Sequence, residues 1–173
     1  MIQTIINSIN SAILVHCTKL DVSVRGLAQP VYILDDEEQM IPALTIDGED
    51  SHVFIDDSYI FGSYHKLNGK TYSHETKTGY GDAYKVMCVA DLSMIVWGYE
   101  KNIAADDMEK FISTVAPKDM IFLKTDFDKK RVFSSEFSGV EFFVPEDVFL
   151  FKINYRVQFE VKKACLEIPS LFS

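Results

Sequence analysis

The first seventeen residues place isoleucines at helical spacing. Ile2, Ile5, Ile6, Ile9, Ile13 and Leu14 recur every three or four positions, with Asn7, Ser8, Asn10 and Ser11 on the opposite side. This spacing predicts an amphipathic helix whose apolar face docks on the chain's own sheet or on a neighbouring subunit. The pattern then turns strand-like. Val22 and Val24 precede Gly26, and Pro30 leads into Val31–Leu34. The acidic run Asp35–Glu38 reads as a solvated turn. Ile41–Ile46 reads as an edge or irregular strand, because Pro42 cannot donate to a ladder. Asp47-Gly48 is a turn signal. His52–Ile55 and Ser58–Tyr64 are two further short strand candidates.

From His65 to Asp82 the chain is polar, glycine-containing and without sustained periodicity. Long segments of this kind inside compact domains usually carry function. This one is expected to project, as a loop or as a β-arm turning at Asn68-Gly69. Tyr84–Trp97 is apolar and rich in β-branched and aromatic residues, which predicts a long buried strand ended by Gly98. Ile103–Val115 predicts a second helix with Ala104, Met108, Phe111, Ile112 and Val115 as its apolar stripe. Asp106 and Asp107 sit near its positive end, and Pro117 stops it. Met120–Leu123 and Phe142–Val144 predict short strands. The clearest alternation comes last: Phe149, Phe151, Ile153, Tyr155, Val157, Phe159 and Val161 interleave with Leu150, Lys152, Asn154, Arg156, Gln158, Glu160 and Lys162. One side of that strand faces a core and the other faces water or a lumen. Its length suggests pairing or packing beyond the monomer. The element order predicts a single α+β domain over residues 1–173: a two-layer, mostly antiparallel sheet with two helices on one face and a polar arm at about 65–82.

Composition adds three constraints. The 173 residues suffice for a core without a disulfide or metal staple. The formal charge of −9 argues against a nucleic-acid binder and against binding to anionic membranes. Cys17, Cys88 and Cys165 are widely spaced and odd in number, which points to reduced thiols. Cys88 and Cys165 read as small buried hydrophobes. The N-terminal segment has neither the basic start and cleavage site of a signal peptide nor a continuous apolar span. The 13 Phe and 8 Tyr suit strand packing and subunit interfaces alike.

Catalytic patterns are missing from the sequence: there is no GxSxG, HExxH, Walker or GxGxxG motif. Gly79-Tyr80-Gly81 lacks the lysine and hydroxyl that a phosphate loop needs. His65 and His74 share the polar segment but lack a third convergent group, and read as exposed loop histidines. Asp35–Glu38 and Asp126/Asp128 lack the ligand spacing of a calcium loop. No catalytic residue, metal or cofactor is therefore expected. Lys129-Lys130-Arg131 is the one compact basic run; it reads first as an ordinary surface run, next as a salt-bridging site for an acidic patch on a neighbour, and last as a contact to a phosphate backbone. On the last strand, Lys152, Arg156 and Glu160 give one face a mixed charge suited to complementary pairing.

The segments Ile2–Leu14, Tyr84–Trp97, Ile103–Val115 and FLFKINYRVQFEVKKACLEI together resemble, in element order, the tail-terminator and head–tail joining (neck) proteins of tailed bacteriophages, including those of phages infecting Bacteroides-type bacteria. The resemblance implies a non-enzymatic virion subunit, assembled in the host cytoplasm into a homo-oligomeric sixfold or twelvefold ring. It would contact other neck, portal or tail proteins, meet DNA only as it passes through a channel, and bind no membrane. It implies contact surfaces at Ile5 and Ile9, on the arm (Lys70, Tyr72, Tyr80) and on the outer face of the last strand. Two competing readings are a non-viral adaptor or scaffold, and a ligand-binding domain or enzyme whose site is assembled from distant residues such as His52, Asp56 and Tyr84.

Overall fold

A computed structural model describes the chain except for residues 52–53, 57, 75–84, 118–119, 134–136, 138–139, 141 and 163–173. The element order is α1 (Ile2–His16), β1 (Val22–Leu34), β2 (Met40–Ile46), β3 (Glu49–Ser51), β4 (Phe61–His74), β5 (Lys85–Tyr99), α2 (Ala105–Val115), β6 (Met120–Asp126), a 3-10 turn at Lys129–Arg131, and β7 (Val148–Lys162). The strands form one seven-stranded sheet in the order β3-β2-β1-β4-β5-β7-β6, antiparallel throughout except for β1 against β4. The α+β fold and the antiparallel bias match the expectation from periodicity.

Both helices cover the same face of the sheet. Ile6, Ile9 and Ile13 of α1 and Met108 and Ile112 of α2 join a core made by Ala90, Leu92, Met94 and Val96 of β5 and Phe149, Phe151, Ile153, Tyr155 and Val157 of β7. These are alternate residues along each strand, so the two-residue period directs all of them to one side. The far side of the sheet has a second core at one end only. There Tyr64, Ile95, Trp97 and Leu150 lie beneath the aromatic residues Phe54, Phe133, Phe137 and Phe142. The rings of Phe54 and Phe137 meet edge-on at 5.5 Å, and those of Phe54 and Phe142 at 4.9 Å, the offset geometry that aromatic pairs favour. Gly62 makes room for this cluster, since a Cβ there would lie 2.2 Å from the indole of Trp97.

Local signals explain the turns. Asp47 and Gly48 both have positive φ (56° and 88°), which gives the β2–β3 hairpin the twist of a type I′ turn. At the β1–β2 turn, Asp35 Oδ1 accepts the backbone N–H groups of Glu37 (2.9 Å) and Gln39 (2.8 Å). Pro30 is tolerated because β4 pairs with β1 only as far as Leu27, and Pro42 because β3 pairs with β2 only from Leu44.

Several expectations are corrected. The polar segment does not turn at Asn68-Gly69: residues 65–74 continue β4, paired with β5 as far as Val86, and Asn68 falls at a bulge between Leu67 and Gly69. The remainder of the expected arm, 75–82, lies outside the described residues. Gly98 does not end its strand, because β5 continues to Tyr99. Phe142 and Val144 are not in a strand; they belong to an irregular segment packed on the far-side core. Of the candidates before β4, Phe54–Ile55 and Ser58–Ile60 are bends and turns. The length of β7 is taken up inside the chain, where β5 pairs with it from Val148 to Lys162.

Candidate interface surfaces

The alternation of β4, β5 and β7 sends a second set of residues to the helix-free face, and beyond the aromatic cover no described element packs on that face. Its register rows run Lys66–Ser93–Asn154–Lys124 and then Gly69–Asp91–Arg156–Ile121. Ser93 is buried and links the first row: Asn68 Nδ2 donates to Ser93 Oγ at 2.7 Å, and Ser93 Oγ donates to Asn154 Oδ1 at 2.8 Å. In the second row, Arg156 grips Asp91 with two hydrogen bonds, Nε to Oδ1 at 2.7 Å and Nη2 to Oδ2 at 3.2 Å. The Arg156 hydrogen bond holds the Asp91 carboxyl below its usual range. Lys66 is half-buried, and its ammonium is made more acidic by burial and by the charge of Lys152. Lys66, Lys124, Lys152 and Arg156 outnumber Asp91, Asp126 and Glu160 on this half, a locally basic area on a chain of charge −9.

The two edges of the sheet differ. The β3 edge is three residues long and carries Glu49 and Asp50, a short and charged edge that resists further pairing. The β6 edge is seven residues long and leaves Ile121 and Leu123 about half exposed (46% and 50%). A bulge between Phe122 and Lys124 is its only irregularity.

The expected contact residues fall in different places. Ile9 is fully buried under α1 and Ile5 is partly buried against the same core, so both serve the docking of α1 on its own sheet. Lys70 and Tyr72 are exposed on β4. Tyr80 lies outside the described residues. The basic run is partly used internally: the Lys129 ammonium donates to the backbone carbonyl of Val148, and Arg131 pairs with Asp128 at 3.1 Å, leaving Lys130 exposed at the surface. Lys152, Arg156 and Glu160 lie together on the helix-free side of β7, as alternation requires.

His65 and Asn10 are corrections of another kind. His65 is fully buried, not an exposed loop histidine, and Asn10 is buried, not on a solvated helix face. Asn10 Nδ2 donates to the Arg25 carbonyl at 2.9 Å, so its Oδ1 accepts from His65 Nε2 at 2.9 Å. His65 Nδ1 then accepts the Tyr155 hydroxyl at 2.7 Å. Burial lowers the pKa of His65 to about 3, consistent with a neutral imidazole that has both nitrogens occupied. The relay fixes the rotation and height of α1 on the sheet and leaves the ring no free position for a substrate or metal. Its place in β4, opposite Met94, puts His65 on the helix side, and its partner across 90 residues of sequence, Tyr155, completes the relay.

The described residues line several clefts, two of which bear on function. One of about 440 Å³, between the end of α1 and the start of α2, is lined chiefly by Cys17, Leu20, Phe61, Met108 and Phe111, with His16 and Lys101 also lining it. A smaller one of about 50 Å³ involves Arg25, Asp56, Tyr64 and Trp97. Asp56 thus borders a cleft, while His52 and Tyr84 lie outside the described residues. Among the described residues no group of His, Cys, Asp and Glu has the arrangement of a metal site, and no helix is long and apolar enough to cross a membrane. The sequence matches no family model and no curated protein.

Proposed function

We propose that the chain is a structural subunit that acts by self-association, forming a homo-oligomeric ring of the kind found at the neck or tail end of tailed-phage virions. The observation that carries this reading is the open β6 edge with its half-exposed Ile121 and Leu123, beside a basic, uncovered half-face on an acidic chain. An uncapped apolar edge is a pairing surface that monomeric proteins ordinarily blunt. The opposite edge is blunted, so the two ends of the sheet are not equivalent. Unlike patches on one subunit give head-to-tail contacts, which form a ring when the rotation between neighbours closes and an open filament when it does not. Catalysis plays no part in this reading, and neighbouring neck, portal or tail proteins would be the other partners.

The test is the mass of the purified protein by light scattering across a concentration series, with electron microscopy of any large species. Closed sixfold or twelvefold rings are expected. A protein that stays monomeric at high concentration and in the presence of neighbouring virion proteins would overturn the proposal. The 440 Å³ cleft favours the ligand-binding alternative, and a saturable small-molecule complex there would shift the reading toward it.

A further inference from the structure

The β1–β2 hairpin outruns the rest of the sheet. Residues 28–34 of β1 pair with β2 but no longer with β4. Across this ribbon Leu34 faces Met40 and Tyr32 faces Pro42, in register with Ala28–Ile46 and Pro30–Leu44 nearer the body. Directly paired residues share a face, and so do residues two apart. Tyr32, Leu34 and Met40 therefore continue the apolar face that buries Ala28, Leu44 and Ile46 at its base, with the Tyr32 ring still edge-on to Phe137 at 5.6 Å. They remain 48%, 64% and 63% exposed. The tip beyond them is Asp35-Asp36-Glu37-Glu38, and the hydrogen bonds to Asp35 hold it in one shape. An apolar ribbon ending in a concentrated negative charge is thus presented at one side of the molecule.

The opposite side carries the complementary combination. Ile121 and Leu123 expose apolar surface on β6; Lys124 lies in the row next to Ile121, opposite Asn154, and Lys152 in the row beyond, opposite Asp126. Neither ammonium has an ion-pair partner among the described residues. Taking the self-association proposed above as given, we infer that the β1–β2 hairpin of one copy docks on the β6–β7 surface of the next. Tyr32, Leu34 and Met40 then cover Ile121 and Leu123, and the acidic tip meets Lys124 and Lys152. The occupant is a second copy because the chain itself supplies both halves of the match: its net charge is −9, its acids are densest at this tip, and its helix-free sheet face is locally basic. Such a contact is heterologous, each subunit giving a hairpin and receiving one.

Charge reversal in two places tests it. Asp36→Lys with Glu37→Lys and Glu38→Lys, and separately Lys124→Glu with Lys152→Glu, are each expected to raise the concentration for half-assembly at least about tenfold. Both are surface changes, and unaltered circular dichroism and denaturation midpoints would show intact folding. Mixing the two variants is expected to restore assembly, because every contact in an alternating ring then joins opposite charges. Wild-type assembly that neither variant weakens, or weakened variants that fail to rescue each other, would overturn this contact while leaving the ring proposal standing. A wild-type chain that never assembles would overturn both.

Discussion

The two halves of the helix-free sheet face are built from the same strands with the same alternation, yet one is buried and the other open. The boundary crosses the sheet as a line. Gly62, Trp97 and Leu150 lie in register on the covered side, and Lys66, Ser93 and Asn154 lie in register on the open side. Tyr64, Ile95 and Lys152 form the row between them. The residue type changes in three strands at the same height, which is how separate stretches of sequence agree on where a covering segment stops. Alternation decides which side a residue faces. Whether that side is covered is decided by another part of the chain, here Phe54 together with Val132, Phe133, Phe137, Val140, Phe142 and Val144.

The largest expected effect comes from the covered half. Trp97→Ala would remove the indole that packs over Gly62 and leave a cavity beneath the phenylalanines. A loss of about 3–5 kcal/mol is expected, read from urea unfolding.

A second, intermediate effect sharpens the contrast with the helix side, where polarity is buried without being exposed to solvent. His65 binds its proton far more weakly in the folded chain, near pH 3, than the ordinary histidine value of about 6.5 expected after unfolding. Above pH 6.5 the ring is neutral in both states, and the stability of the relay is fully present. As the pH falls below 6.5 only the unfolded chain takes up the proton, so stability should decline by up to about 1.4 kcal/mol per pH unit, or about 2–3 kcal/mol by pH 4.5. Asp91, held below its usual range, loses its contribution only under more acidic conditions, as the pH falls through the carboxylate range. Unfolding curves at pH 7 and 4.5 separate the two, and His65→Gln should flatten the difference.

The smallest effect belongs to the open half. Arg156→Ala breaks the grip on Asp91, but both side chains are more than a third exposed (41% and 43%), so the unfolding midpoint should move least of the three. A midpoint shift as large as that of Trp97→Ala would mean that the two half-faces are not the separate environments described here.

Both helices, the long strands β5 and β7 and the Asp47-Gly48 turn were legible in the sequence because each rests on a local period or a local backbone preference. The helix-free core was not, since Phe133, Phe137 and Phe142 follow no period and become a layer only through contact with Trp97 and Leu150. His65 was misread for a related reason. A polar residue in a polar stretch looks solvated until its buried partners, Asn10 and Tyr155, are brought to it by the fold. The outer residues of β7 were placed correctly by alternation, whereas the ribbon at Leu34 and Met40 resembles any other apolar strand until its exposure beyond the Tyr32–Phe137 contact is seen.

The order of the strands also bears on synthesis. β6 leaves the ribosome before β7, yet β7 lies between it and the remainder of the sheet. Until Val148–Lys162 has emerged, β5 lacks one neighbour along its whole length and β6 lacks its only neighbour among the described residues. Pairings between strands so far apart in the chain are slow to form and leave unpaired edges exposed meanwhile. A nascent chain of this protein therefore carries β5 with one edge unpaired until β7 has emerged, and closure of the sheet is a late event that depends on one strand.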